Sequence, residues 1–413
     1  MNQRVVITGI GLVTAAGDDR ESTWKAVREG HRPIAPLVDL PGVPDNLVLA
    51  ASLPGPRRGD WRLRNRPTAR RAAAEAVADA RLDLTCDSDR VAVVMPPTIG
   101  NTPSLADLRF GARLAGAEMS WWEEFIPSNV TADVANFLGA MGPRIGPTAA
   151  CASSTVAIVS AMRAIQSGNC DRAIVGAVET IHPIMAAGFN NMRVLARNDV
   201  PAEACRPFDA NRNGFVLGEG AAMMVLERSD EAMARGAEIY AEVIGAACCG
   251  EAHHVTDLNT DTSALEYVVR QSLRRAKLAP SDVAYVNAHG TGTLQNDVAE
   301  SRALHQVFGQ AASNLQVSSV KACLGHLVNA AGAAELAITA LALRDGYAPP
   351  TANLTSPDPE CDLDCIPLVG RRTELEHALK VSVAFGGHLA AIALRRWNEA
   401  GQRVSLLPHE AAA

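Results

Sequence analysis

The sequence predicts an α/β fold, with buried strands in a largely parallel sheet and a duplicated architecture. Three observations carry this expectation. Short runs rich in Val, Ile and Leu alternate with longer Ala- and Leu-rich stretches of helical pattern, as in buried strands joined through helices. The strand signals fall into two successive sets. Two helical stretches, Cys151–Ile165 and Ala330–Leu343, are apolar on nearly every face, which places them at the centre of a large molecule.

The first set of strands comprises Arg4–Gly11, Arg90–Met95, Arg172–Val178 and Ala222–Glu227. The second comprises Tyr240–Gly245, Val283–Ala288, Leu315–Val320, Leu379–Val383 and Ala390–Arg395. Helical patterns cover Thr68–Ala80, Ser263–Lys277 and Ala330–Arg344. With 413 residues the chain is long for one simple domain, and the sets divide it into halves, residues 1–238 and 239–413. The acidic, proline-containing stretch Ser356–Leu363 reads as a surface loop and the last few residues as a frayed tail.

Composition removes several classes of function. Hydrophobic residues make up 48% of the chain, which excludes wholesale disorder. The net charge of -7 speaks against a general nucleic-acid binder. No run of 18 apolar residues escapes a charge or a turn signal, so no membrane span is expected. The N-terminus runs directly into a strand at Val5, and no leader peptide is expected. Nine cysteines lie scattered without a framework, which suits a reduced, cytoplasmic protein. Cys248-Cys249 and Cys361–Cys365 lack the spacing of a zinc site, so no metal is expected.

Gly9-Ile10-Gly11 follows Val5-Val6-Ile7 like the start of a dinucleotide fingerprint. Thr14 stands where the third glycine belongs, and Asp39 sits among prolines rather than closing a second strand. These glycines are therefore read as strand-to-loop turn residues.

Four segments could carry chemistry. In Thr148-Ala149-Ala150-Cys151-Ala152-Ser153-Ser154, small residues surround a cysteine where a loop becomes a buried helix. A helix N-terminus favours a thiolate, the reactive form of cysteine, although a buried structural cysteine would read the same way. Asn287-Ala288-His289-Gly290-Thr291-Gly292-Thr293 follows a strand, a place where α/β proteins put catalytic groups. His289 could donate to a carbonyl oxygen there, or pack in a turn. Lys321 and His326 lie five apart at the start of the second apolar helix, costly unless they are paired or used. Ala384-Phe385-Gly386-Gly387-His388 separates two strands, as a mobile loop or a plain hairpin. A thiol, two imidazoles and an amine together permit acyl transfer. The tryptophan-flanked cysteine of papain-like proteases and a Gly-x-Ser-x-Gly elbow are both missing.

With these motifs in order, the chain resembles the β-ketoacyl-acyl carrier protein synthases of the thiolase-fold condensing enzymes. It is most similar to the elongating ketosynthase II type and to ketosynthase subunits of type II polyketide synthases. The resemblance runs from Val5-Val6-Ile7-Thr8-Gly9-Ile10-Gly11 to Phe385-Gly386-Gly387. It rests on Thr148–Ser154, Arg206-Pro207-Phe208-Asp209 with Gly214-Phe215-Val216-Leu217-Gly218-Glu219-Gly220, His289–Thr293, and Lys321 with Gly325-His326.

The resemblance implies a thiolase fold, two βαβαβαββ halves in a five-layer α/β/α/β/α sandwich. It implies Cys151 as the acyl-accepting nucleophile, with His289 and His326 holding the malonyl thioester and its enolate. Lys321 would support the site electrostatically near Glu300. Thr291 and Thr293 would contact the phosphopantetheine arm. Phe385 would be the gate, its backbone N–H forming an oxyanion hole with that of Cys151. No bound cofactor is implied, because substrates ride on the phosphopantetheine of an acyl carrier protein. The expected assembly is a homodimer, or a heterodimer with a chain-length-factor-like homologue.

Departures from the family pattern lie around the gate. Relatives commonly read Phe-Gly-Phe-Gly-Gly where this chain has Val383-Ala384-Phe385-Gly386-Gly387, and Asn where Leu389 stands. This favours specialised polyketide or polyene synthesis over primary fatty-acid elongation. Cys151 argues against a non-elongating partner subunit, and a second histidine against a thiolase-like degradative enzyme. Arg57, Arg58, Arg62, Arg64, Arg66, Arg70 and Arg71 contrast with the acidic whole. Arg62, Arg66 and Arg70 are the candidates for docking an acidic carrier protein, against a plain solvated helix face.

Overall fold

A computed structural model describes residues 3–40, 42–45, 47–55, 64–98 and 126–398. Ten strands form one sheet. Their order across it is Gln316–Ser318, Tyr285–Asn287, His377–Ala384, His388–Arg396, Ala241–Gly250, Val5–Thr14, Gly220–Arg228, Arg172–Glu179, Val91–Val94 and Arg144–Ile145. The two middle strands meet only through Val5–Ile7 against Ala241–Val243. On either side of that short junction the same pattern repeats. Numbering the five strands of each half along the chain, both halves read 3-2-4-5-1 from the outer edge inward. This is the expected duplication.

The sheet is mixed rather than largely parallel. The two outermost ladders of each half are parallel; those of the inner strands are antiparallel. Strands buried on both faces are continuously apolar in either orientation, so their sequences carried no sign of direction. The first half has a fifth strand that sequence reading missed. Arg144–Ile145 is two residues long, with the arginine exposed, too short for any periodicity.

The helices Ser153–Gln166 and Ala331–Asp345 pack against each other and against strands of both halves. Asn65–Asp79 and Asn129–Leu138 cover the outside of the first half, and Ser263–Ala276 and Leu294–Phe308 that of the second. The layers are therefore α/β/α/β/α. Every residue from Ala331 to Leu343 is buried. Contact between the central helices is close: a Cβ on Gly332 would lie 2.0 Å from Thr155 Oγ1, and Ala333 N–H donates to Ser154 Oγ at 2.9 Å.

Gly9 and Gly11 lie inside the strand Val5–Thr14, not in a turn after it. Added Cβ atoms would come within 2.1 Å of Ala76 O and 1.9 Å of Ala72 O. The glycines therefore let the helix Asn65–Asp79 lie directly on the strand backbone, which corrects the turn reading.

Residues 356–363 form a loop that is only partly at the surface. Cys361 and Leu363 are buried, and Asp358 Oδ2 lies 2.5 Å from Arg212 Nη1. The terminal tail lies outside the described residues. Among the described residues no helix is long and apolar enough to cross a membrane.

Candidate active site

Cys151 sits in a one-turn 3-10 helix, Ala150–Ala152, immediately before the central helix Ser153–Gln166. Ala150 is held at φ 44°, a left-handed conformation that alanine rarely adopts. The turn is fixed from both sides: Ala149 N–H donates to Ser153 Oγ at 2.9 Å, and Ser153 Oγ donates to Ala150 O at 2.6 Å. Burial pushes the Cys151 thiol up to about 12; Lys321 opposes the rise, and Glu179 and Glu335 add to it. The sequence reading takes the helix start as favouring a thiolate. The correction is physical: a sulfur this enclosed rests as a thiol, and the helix N-terminus can stabilise charge only as it develops.

His289 and His326 face each other across the same cleft, ring centroids 5.4 Å apart and nearly perpendicular. Val328 N–H donates to His326 Nδ1 at 3.3 Å, and Lys321 Nζ approaches His289 Nδ1 at 3.5 Å. With both Nδ1 atoms accepting, the neutral rings carry their protons on Nε2. Burial is the main cause that holds both imidazoles well below the ordinary histidine range, and the positive charges of Lys321 and Lys380 add to it. The rings are thus neutral, each with one N–H to offer.

Lys321 does not pair with Glu300. Its Nζ donates to Glu335 Oε1 and to His289 O. The other oxygen of Glu335 lies 2.8 Å from Lys380 Nζ. Glu300 acts on the backbone, accepting from His289 N–H at 2.6 Å and Gly290 N–H at 2.7 Å. It supports the His289 loop, but from a separate place. Asp297 accepts from Phe208 N–H at 2.8 Å and Gly292 N–H at 3.2 Å, which ties the loop to the Arg206–Asp209 segment. Glu335 and Lys380 were missed as site residues. Each carried a signal: a lone carboxylate in an otherwise apolar helix, and a lysine inside a buried strand.

A cleft of about 590 Å³ is lined by Cys151, His289, His326, Thr291, Thr293 and Phe385, among others. The two threonine hydroxyls are 2.9 Å apart. Phe385 begins the tight turn of the hairpin His377–Ala384/His388–Arg396, with Gly386 at φ 82° and Gly387 at φ 70°. The segment is therefore a hairpin as well as the cleft's rim. Aromatic contacts run from Phe385 through Phe189 and Phe215 to His326, with centroids 6.5, 5.3 and 5.2 Å apart. Val383 lines the cleft and pairs across the hairpin with buried Leu389.

The candidate docking arginines lie elsewhere. Arg70 makes a two-pronged bond to Asp133, at 2.7 Å from Nε and 2.5 Å from Nη2. Arg66 reaches the same carboxylate at 4.0 Å, Arg71 pairs with Asp18 at 3.4 Å, and Arg64 donates to Leu53 O at 3.0 Å. Arg57, Arg58 and Arg62 lie outside the described residues. Among the described residues no group of His, Cys, Asp and Glu is arranged to hold a metal ion.

A buried cysteine at a helix start, opposed by two neutral imidazoles, defines an acyl-transfer site on a thiolase-type fold. Comparison with known proteins agrees. Residues 67–232 match the β-ketoacyl synthase N-terminal domain and residues 240–355 its C-terminal domain. The chain is 38% identical to the actinorhodin polyketide putative β-ketoacyl synthase 1 of Streptomyces coelicolor, over 97% of this chain and 90% of that one. It is 36% identical to 3-oxoacyl-acyl-carrier-protein synthase 2 of Staphylococcus aureus, over 96% and 99%. Among solved structures, a type II polyketide synthase acyl-carrier protein in complex with its ketosynthase bound to the hexaketide superposes with a TM-score of 0.89. That match has 30% identity and covers 96% of this chain and 100% of that one. The chain belongs to the β-ketoacyl synthase family. It is a condensing enzyme, an acyltransferase that forms carbon–carbon bonds.

Proposed function

We propose that the enzyme elongates carrier-bound chains in a specialised type II polyketide or polyene pathway. The observation that carries this reading is aliphatic Val383 in the cleft wall beside Phe385, backed across the hairpin by buried Leu389. It leaves the rim with one aromatic gate residue rather than two. The similarity to the Streptomyces polyketide synthase supports the same reading. Primary fatty-acid elongation is the second reading, favoured by the similarity to the Staphylococcus synthase.

In this mechanism the Cys151 sulfur attacks a carrier-bound acyl thioester and loses its proton as the carrier thiol departs. The negative oxygen of that step is held by the backbone N–H groups of Cys151 and Phe385. Malonyl-carrier protein then enters past Thr291 and Thr293, which hold the pantetheine arm. Carbon dioxide leaves, and the enolate oxygen takes hydrogen bonds from the Nε2–H of His289 and of His326. The enolate carbon attacks the Cys151 thioester, forming the new carbon–carbon bond and releasing the cysteine sulfur. Two donors set on one oxygen stabilise the enolate without a charged acid.

No bound cofactor is needed for this chemistry. The partners are an acyl carrier protein, docked near Arg62, Arg66 and Arg70, and a second subunit, either this chain or a chain-length-factor-like homologue. The compartment is the cytoplasm. A competition between saturated and polyene or β-keto acyl-carrier proteins tests the reading. Preferential loading of the unsaturated or oxygenated chain supports it, and preference for saturated chains supports primary elongation instead.

A further inference from the structure

Lys380 lies in the strand His377–Ala384, directly beside Asn287 of the parallel strand that leads into His289. Its side chain is fully buried, as are those of Lys321 and Glu335 to within a few per cent. An ammonium placed there is costly unless an anion answers it. Glu335 is the carboxylate in ion-pair contact: its Oε2 lies 2.8 Å from Lys380 Nζ. Lys380 also donates to Val381 O and, at 3.4 Å, to Ala288 O. The opposite oxygen of Glu335 takes Lys321, which in turn reaches His289 O. From the strand, Asn287 Nδ2 donates to Glu335 O at 3.1 Å.

A carboxylate held by one lysine can swing about its terminal bond. Held by a lysine on each oxygen, it cannot. The pair places two cations on one carboxylate beside the His289 loop, with Glu300 as a further facing anion. The charged and titratable groups facing this cluster include Lys321, Glu300, His289, His326, Cys151 and Tyr285; burial lowers the Lys380 amine, Glu335 and Glu300 favour its charged form, and Lys321 opposes it.

We infer that Lys380 is a positioning residue for the condensation. It clamps Glu335 from the side opposite Lys321, so that Lys321 stays on His289. This rests on the ketosynthase reading above. Lys380 touches no substrate; it acts through Glu335. Its charge also pushes His289 and His326 further below the ordinary histidine range, which keeps both rings neutral at mildly acid pH.

The experiment measures carbon dioxide release from malonyl-carrier protein by wild type, Lys380→Met, Glu335→Gln and the double variant, across pH. The expected result for Lys380→Met is a kcat about tenfold lower with KM little changed. Its acid limb should move upward on the order of one pH unit, because a positive charge that disfavours imidazolium is gone. Adding Lys380→Met to Glu335→Gln should cost nothing further, since the clamp has already lost its anion. Lys380→Met leaves Glu335 paired with Lys321, and Lys380→Gln, which keeps a donor beside Glu335 but no charge, is the second variant if the methionine does not fold; it should show the same shift of the acid limb. Methylammonium added to Lys380→Ala should restore part of the rate by filling the vacated site. Wild-type rate and pH profile in Lys380→Met would overturn the inference. Equal losses from Lys380→Met in the presence and absence of Glu335 would overturn it too. No carbon dioxide release by the wild type would instead sink the ketosynthase reading itself.

Discussion

Val328 N–H donates to Nδ1 of His326, and the residue that makes this bond stands at φ 43°. A β-branched residue in that region is strained. The hydrogen bond to Nδ1 leaves Nε2 as the free ring nitrogen of His326. Ala150, at φ 44° just before Cys151, is the matching case on the other wall. Each side of the site thus carries one residue in an unfavourable backbone conformation.

His326→Ala and His289→Ala should each lower malonyl decarboxylation by about 10²–10³, the usual cost of one oxyanion donor. Acylation of Cys151 should persist in part. Carbon dioxide release and intact-protein mass after acyl-carrier incubation measure the two steps separately. Undiminished decarboxylation in both variants would remove the two-donor mechanism.

Cys151 should resist alkylation at neutral pH. With burial pushing the thiol up to about 12, little thiolate is present at pH 8. The iodoacetamide rate at Cys151, followed by peptide mass spectrometry, should still be climbing at pH 10. A plateau near pH 7 would mean that the helix N-terminus outweighs burial in the resting enzyme.

Val383→Phe with Ala384→Gly should shift the preference of the enzyme toward saturated acyl chains. The substitution restores an aromatic to the cleft wall and flexibility to the turn before Phe385. Because Val383 faces Leu389 across the hairpin, the new ring must find room at Leu389's expense. Competition between saturated and polyene carriers reads the result, and an unmoved preference would separate the rim from specificity.

Charge reversal at Arg70 should raise KM for carrier-bound substrate but not for a small thioester mimic. Arg70 also holds Asp133, so Asp133→Asn is the needed control. An exposed ion pair contributes only about 0–1 kcal/mol, and the control should leave KM for the carrier unchanged. Equal rises for carrier and mimic would argue that the helix moved rather than that docking was lost.

Gly11→Ala should destabilise the fold by about 1–3 kcal/mol or more, since the new methyl would meet Ala72 O at 1.9 Å. Thermal unfolding measures it. An unchanged midpoint would show that the helix Asn65–Asp79 can slide away from the strand at little cost.

Much of the site was legible because its residues break the local pattern. Cys151 stands among small residues, and Lys321 and His326 interrupt an apolar stretch. The same logic applied one helix further would have singled out Glu335. Lys380 was harder: it is one lysine inside the strand signal Leu379–Val383, and only the fold brings it beside Asn287 and onto Glu335 of the central helix. Strand direction and the two-residue strand Arg144–Ile145 were not legible, since both are set by tertiary pairing rather than by local composition. The burial that opposes a Cys151 thiolate was not legible, because a helix start is visible in sequence whereas tertiary enclosure is not.

The placement of the central helices has a consequence for how the protein is made. Ser153–Gln166 finishes its packing against Ala331–Asp345 and against strands of the second half, including His388–Arg396. The ribosome must add about 180 residues between the end of the first helix and the end of the second. At typical synthesis rates that is roughly ten to forty seconds. Throughout that interval the helix can pack on first-half strands such as Arg172–Glu179, but its face toward the second half stays uncovered, and a nascent chain in this state is a natural client for chaperones. Expression without sufficient chaperone capacity should therefore yield aggregates seeded by the first half, even when the finished enzyme is stable.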